Sequence, residues 1–359
     1  MSVSTVVQGL LAPVAGVLVD RVGPRRVIVV GVVLLSAAFV LGATVAAPWQ
    51  LYLYTGVLGA TGLVALGWVP MGVLLSRWFA ERRGRAAGVA FSGMGAGVFA
   101  VGPLAQWLIG ALGWRAASAL LGAGAFAVLL PLVLLGLRDA PAEPGPGARG
   151  APPRPAPPPR TSVPADATLR DALGTREFWA LWLAYFFTPL AVFPVFTHQV
   201  AFAIDLGFAP LFAATIFGLM GLMSSAGRIG FGLAADRFGG PLSATISFGC
   251  TAGGALALLA LEGSPRAGWL VGYAVLFGLG FGARGPIITA MASDLFAGRR
   301  FGLIYGVLNL GNGVGAAVGP WFGGWVHDVT RSYRGAFLAS VVFCALGAGA
   351  FWFTRRRAP

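Results

Sequence analysis

The sequence predicts an all-α polytopic membrane protein built as two pseudo-symmetric bundles, and three observations predict it. Hydrophobic residues make up 57% of the 359 positions and charged residues only 10%, with apolar runs as long as a bilayer is thick. The basic residues sit in short clusters between those runs, not along a face of a soluble unit. That pattern sets nucleic acid aside as a partner in spite of a net charge of +13. Finally, short motifs recur in the two halves of the chain at nearly one spacing.

In chain order, the first half offers spans at about 2 to 19, 27 to 46, 51 to 75, 86 to 110 and 115 to 137. The second offers six more, at about 178 to 203, 210 to 235, 241 to 262, 268 to 292, 301 to 326 and 335 to 354. Eleven spans result, with residues 1–137 forming an N-terminal bundle and 178–359 a C-terminal one. Residues 138–177, between them, are too rich in Pro, Ala and Gly to bury a core and are expected to form a cytoplasmic tether. At its end Thr168 is placed to cap a short amphipathic helix at the interface.

All 25 basic residues are arginine. With the "DRVGPRR" loop in the cytoplasm and the spans alternating, nineteen arginines fall inside and four, Arg115, Arg266, Arg331 and Arg334, fall outside. Arg228 and Arg284 are left within spans. The expected location is the cell's inner (plasma) membrane, with the linker and C-terminus cytoplasmic. Cys250 and Cys344 lie inside apolar runs and read as small buried residues. The spans carry no H-E-x-x-H, no paired carboxylates and no Cys/His set, so neither an enzyme nor a metal or cofactor site is expected.

The repeat is specific. "GVLVDRVG" at 16 to 23 and "GLAADRFG" at 232 to 239 share G-x-x-x-D-R-x-G, 216 positions apart. Pro70 and Pro286 keep the same offset, and "VGP" at 101 to 103 recurs at 318 to 320. Two copies in the same order, separated by an even number of spans, form a parallel repeat about an axis along the membrane normal.

On these residues the chain resembles the major facilitator superfamily over essentially its whole length. The signature G-x-L-x-D-R-x-G-x-R reads here Gly16, Leu18, Asp20, Arg21, Gly23 and Arg25, while the second copy, Gly232 to Gly239, lacks the closing basic residue. The resemblance implies twelve helices in two bundles of six. Aligning the halves matches the first span with helix two, so the chain is expected to lack helix one, either because its true start lies upstream or because it is a truncated product. The resemblance also implies a secondary transporter that works as a monomer in the bilayer without a cofactor. Asp20, Arg21, Arg25, Asp236 and Arg237 would form a conformational latch, pairing with basic groups and helix ends when the cavity opens outward and releasing when it opens inward.

Within the superfamily the chain is most similar to the monocarboxylate transporter and oxalate/formate antiporter group. The residues that carry this are the "FW" opening of the seventh helix, the "RWFAERRGRAAG" loop at 77 to 88, and Arg228 in "SSAGRIGFGLAADR". In that group an arginine of the eighth helix binds the substrate carboxylate, and Arg228 stands in the matching helix. Arg284, on helix ten, lies roughly 6 Å from its helix midpoint and Arg228 roughly 9 Å from its own. Two guanidinium groups on cavity-lining helices would clamp a substrate with two anionic ends. Each also has a structural alternative: Arg228 snorkelling or pairing with Asp236, and Arg284 bonding carbonyls freed by Pro286.

Departures from the group weaken proton coupling more than anion recognition. Ser224 stands where some carriers have an aspartate, and Asn309 and Asn312, offering neutral hydrogen bonds to substrate, occupy a helix where the exchangers have a lysine. His198 is a candidate proton relay. "GMGAG" at 93 to 97 and "GNGVG" at 311 to 315 are expected to let helices of the two bundles slide closely past each other. The expected function is transport of small organic anions, mono- or dicarboxylates, by proton symport or anion exchange. Its alternatives are a drug or metabolite exporter of the same superfamily and a non-transporting substrate sensor.

Overall fold

The computed structural model describes residues 2–79, 83–138, 168–296, 298 and 300–354. The helices are α1 (Ser2–Val22), α2 (Pro24–Gly42), α3 (Pro48–Trp78), α4 (83–112) and α5 (114–136) in the first half. The second half holds a short α6 (Leu169–Leu173), then α7 (Arg176–Asp205), α8 (Pro210–Phe238), α9 (Gly240–Gly263), α10 (Ala267–Phe296), α11 (Phe301–Thr330) and α12 (Arg334–Trp352). Eleven of these are long and apolar enough to cross a membrane. Most of the linker expected at 138–177 lies outside the described residues; at its end, Thr168 caps α6 by accepting the Asp171 backbone N–H while Asp171 accepts from the Thr168 backbone and hydroxyl. Those hydrogen bonds hold the Asp171 carboxyl below the usual carboxylate range.

The repeat in the sequence is a repeat of backbone geometry. Gly23 joins α1 to α2 with φ 89° and ψ 152°, and Gly239 joins α8 to α9 with φ 89° and ψ 153°. These are the closing glycines of the two G-x-x-x-D-R-x-G copies, in a conformation where a Cβ is strained. A proline in the first turn of the following helix completes each corner. Each half therefore has two antiparallel helices joined without a loop.

Two irregularities shape the first half. Gly113, at φ 78°, turns α4 directly into α5. In α3, π-helical turns run over Tyr52–Gly59, and at Gly67 the backbone leaves the helical region with ψ −155° before the helix resumes at Trp68. A break of this kind redirects the next side chain, and here it aims Trp68 inward.

Burial separates the central spans from the peripheral ones. The most apolar stretch of α10 is 67% buried, whereas that of Trp107–Gly136 is 11% buried. Leu132 and Leu135 of α5 face outward with no protein neighbour to cover them, a surface that only lipid tails satisfy. α5 is tied to α2 by Ser118, whose hydroxyl donates to the Phe39 carbonyl, and to the connection after α2 by Arg115, which donates to the Val45 carbonyl. Across the halves, α1 lies along α11 and α4 along α8.

A buried hydroxyl relay ties α7, α10 and α11 together. The Thr289 hydroxyl donates to the Gly285 carbonyl at 2.8 Å and lies 2.5 Å from the Tyr305 hydroxyl, which in turn is 2.7 Å from that of Tyr185. With the Thr289 proton committed, Tyr305 donates to Thr289 and Tyr185 donates to Tyr305. Tyr305 also fills a niche at Gly72 of α3, where an added Cβ would sit 2.8 Å from its ring. Tyr305→Phe removes two buried hydrogen bonds and strands the Tyr185 hydroxyl, while Thr289 keeps its bond to the Gly285 carbonyl. A destabilisation of about 1–3 kcal/mol is expected, read as a lowered thermal midpoint in detergent.

Candidate binding cavity

A cavity of about 770 Å³ lies between the two halves, lined from α1, α3, α4, α7, α8, α10 and α11. Most of its wall is apolar and aromatic. Among the described lining residues one is charged, Arg228, and none is acidic. The remaining polar groups are neutral: Ser4, Thr5 and Gln8 from α1, Tyr185, Thr188 and Thr197 from α7, and Asn309 and Asn312 from α11.

Arg228 is 5% exposed. Its Nη1 donates to the Ser224 hydroxyl one helical turn earlier at 2.6 Å, and its Nε has no partner. The Asp236 pairing open to it on sequence grounds is not formed. A guanidinium in an apolar wall, with most of its donors uncommitted and no acid beside it, is a site for an anion. Asn309 and Asn312 share the cavity with it, and the Asn309 Oδ1 is likewise without a partner.

Arg284 is a correction to the two-arginine clamp. It is fully buried, yet it points away from the cavity. Phe281, Gly282 and Gly285 line the cavity, and at 100° per residue position 284 falls about 100° round from the centre of that face, toward α9. There its Nη1 donates to the Thr251 hydroxyl of α9 at 2.8 Å and its Cζ lies 4.4 Å from the centre of the Phe248 ring. Its Nε and Nη2 have no partner. The carbonyls near Pro286 are not its acceptors.

His198 is also behind the wall. Phe193, Phe196, Thr197 and Val200 of α7 face the cavity, while the His198 ring packs on Gly323 and lies 5.1 Å from the Tyr333 ring. One residue of helix rotation takes it off the lining stripe.

At the arginine-rich end the two halves cap one another. The Asp20 carboxylate, at the end of α1, accepts from the backbone N–H of Gly302 at 2.9 Å and of Leu303 at 2.8 Å, at the start of α11. The Asp236 carboxylate, at the end of α8, accepts from Gly84 and Arg85 at 2.8 Å each, at the start of α4. α11 has no side-chain cap of its own, so the other half supplies one, aligned with the positive end of the helix dipole. The basic partners differ from expectation. Arg21 is exposed, Arg25 donates to the Leu134 carbonyl and Arg237 lies against the Phe238 ring, and among the described residues neither Arg21 nor Arg237 forms an ion pair with Asp20 or Asp236. A further link the sequence did not reveal is the Arg83–Asp294 ion pair at 2.7 Å, joining the start of α4 to the end of α10.

Glycines of the same motifs allow this approach. Gly16 abuts the Gly302 carbonyl, Gly306 abuts the Ala12 carbonyl and Gly84 abuts the Gly232 carbonyl. From the two glycine runs expected to do this, Gly95 and Gly313 reach across the halves, Gly311 and Gly315 instead pack on α7, and Gly93 and Gly97 meet nothing. Gly302→Val would place its Cβ 2.5 Å from Asp20 Oδ1 and 2.6 Å from the Gly16 carbonyl. The expected result is a protein that folds but cannot close this end, read as raised reactivity of a cysteine introduced in the cavity by Thr188→Cys toward a polar thiol reagent added from the arginine-rich side.

A family model described as Major Facilitator Superfamily matches residues 1–283 and 245–359. Monocarboxylate transporter 13 of Bos taurus is 28% identical over 355 residues, covering 97% of this chain and 78% of that protein. Monocarboxylate transporter 11 of Homo sapiens is 30% identical over 347 residues, covering 93% and 69%. Among solved structures, the human organic anion transporter MFSD10 (TETRAN) superposes with a TM-score of 0.71 at 16% identity, covering 99% of this chain and 82% of that one. The E. coli fucose:proton symporter FucP also superposes with a TM-score of 0.71, at 15% identity over 99% and 90%. At such identities these two likenesses concern the fold alone.

Proposed function

The chain belongs to the Major Facilitator Superfamily, as a multi-pass membrane transporter related to the monocarboxylate transporters, and from that premise we propose that it carries small organic anions by alternating access, with Arg228 as the group that binds the substrate carboxylate. The observation that carries this reading is the buried, largely uncommitted Arg228 guanidinium in a cavity whose described lining holds no acid. A cationic substrate would meet an uncompensated cation there. An exporter of cationic drugs is thereby disfavoured. Asn309 and Asn312 would orient the neutral part of the substrate.

In this reading the arginine-rich end is cytoplasmic in the plasma membrane, and the reciprocal caps of Asp20 and Asp236 hold that end shut while the cavity is reached from outside. Opening inward would release four helix-terminal amides to water and leave both acids solvated. Of the two coupling modes, anion exchange is favoured over proton symport. No described cavity side chain is a carboxylate and His198 lies off the lining, so a symported proton would have to travel on the substrate itself.

The test is uptake of labelled lactate, formate and oxalate into liposomes containing the protein, with and without unlabelled anion trapped inside. Saturable uptake stimulated by trapped anion is expected. Uptake of none of the acids, together with saturable efflux of a cation, would overturn the proposal in favour of the exporter.

A further inference from the structure

The cavity wall beside Arg228 is aromatic, and the rings form one connected surface. Phe196 is stacked on Phe281 with ring centres 5.3 Å apart, tilted against Phe217 at 5.3 Å, and edge-on to Phe193 at 6.0 Å. All four line the cavity and are only half-buried, so each keeps ring surface available to an occupant. Phe196, Phe217 and Phe281 are backed by the packed core of the second half, which fixes their positions. Arg228 Cζ lies 5.8 Å from the centre of the Phe281 ring. The one cation among the described lining residues and the aromatic surface are therefore adjacent.

Charge and size both bear on what fits. With Arg284 turned into the α9–α10 interface, one positive charge among the described residues faces the cavity, and a second carboxylate on a substrate would meet only neutral polar groups and no second cation. A volume of about 770 Å³ belongs to the range that encloses drug-sized ligands, and a two- or three-carbon acid would leave the aromatic surface uncovered. A flat ring laid on Phe196 and Phe281 gains offset or edge contacts that an aliphatic acid cannot make.

Resting on the carboxylate reading above, we infer that the preferred substrates are monoanionic carboxylates with an aromatic body, bound with the carboxylate on Arg228 and the ring against Phe196 and Phe281. A dianion or a short aliphatic acid is a poorer fit.

The experiment is equilibrium binding to the purified full chain, using labelled phenylacetate with acetate, phenylacetamide and phenylsuccinate as competitors. Phenylacetate is expected to bind at least tenfold more tightly than acetate, phenylacetamide and phenylsuccinate. Phe196→Ala should weaken phenylacetate about tenfold and leave acetate within twofold. Phe196→Leu, which preserves most of the volume, should show the same selective loss and separates the ring effect from a packing defect. Equal affinity for acetate and phenylacetate, both lost in Arg228→Ala, would overturn the aromatic preference and leave the carboxylate site standing. Tighter binding of phenylsuccinate would overturn the single-charge argument. Binding of phenylacetate and phenylacetamide alike, unaffected by Arg228→Ala, would overturn both this inference and the carboxylate reading beneath it.

Discussion

Arg228→Ala is expected to abolish saturable uptake of carboxylates while leaving helix content and solubility in detergent unchanged. The side chain makes one intrahelical hydrogen bond, to Ser224, and the helix does not depend on it. Its removal takes away a desolvated, charge-assisted contact to the substrate, and truncating one partner of such a pair costs about 2–5 kcal/mol. That corresponds to roughly 30-fold to several thousand-fold in affinity. Arg228→Lys is the sharper comparison. It retains the charge but not the planar fork, and a compact ammonium cannot engage a carboxylate at two points while also reaching Ser224. A loss of about tenfold is expected, seen in competition binding. Full uptake by Arg228→Ala would assign the residue to the structure of α8 and move the site elsewhere in the cavity.

The second large effect concerns the ends of the helices. Asp20→Ala with Asp236→Ala removes four backbone-to-carboxylate hydrogen bonds that cross between the halves. Bonds to a charged group contribute about 1.5–3 kcal/mol each when desolvated, but Asp236 is exposed and its share is discounted for solvent screening. Asp20 is half-buried, so it should dominate. The double variant is expected to move the open-to-closed equilibrium of this end by on the order of 100-fold, equivalent to about 3 kcal/mol. Distances between spin labels at positions 22 and 238 would report it as a longer, broader distribution. Asp20→Ala alone should give most of the shift, and an unchanged distribution in the double variant would remove the caps from the conformational cycle.

The spans were legible because length and apolarity alone define a membrane crossing. The repeat was legible because Gly23 and Gly239 obey a backbone requirement that other residues meet only with strain. Arg228 was legible because a charge inside a span is conspicuous. What the sequence did not convey was rotation about the helix axis. A soluble helix advertises its inner face by contrast with a polar outer one, but here both neighbours, protein and lipid, are apolar. That is why Arg284 and His198, each one residue off a lining position, could not be placed. The α7 stripe of Thr188, Pro189, Val192, Phe193, Phe196, Thr197 and Val200 did carry a signal, since its helical spacing is regular and its polar members are small. The Gly67 break in α3 carried little, because with 55 glycines no single one stands out.

Arg284 has a consequence for electricity. The acids of the described spans all lie near helix ends, while Arg228 and Arg284 sit deep within the second half with no carboxylate at either. An elementary charge crossing the whole membrane is worth about 2.3 kcal/mol per 100 mV, and any part of that distance travelled with a rocking bundle is worth the same part of it. In the proposed cycle a bundle holding a monoanion at Arg228 would carry a net charge of +1 from these two arginines through the field, and an empty one +2. The unloaded return should therefore be the more voltage-sensitive half of the cycle. In the cycle proposed above, that imbalance favours one-for-one exchange over net uptake.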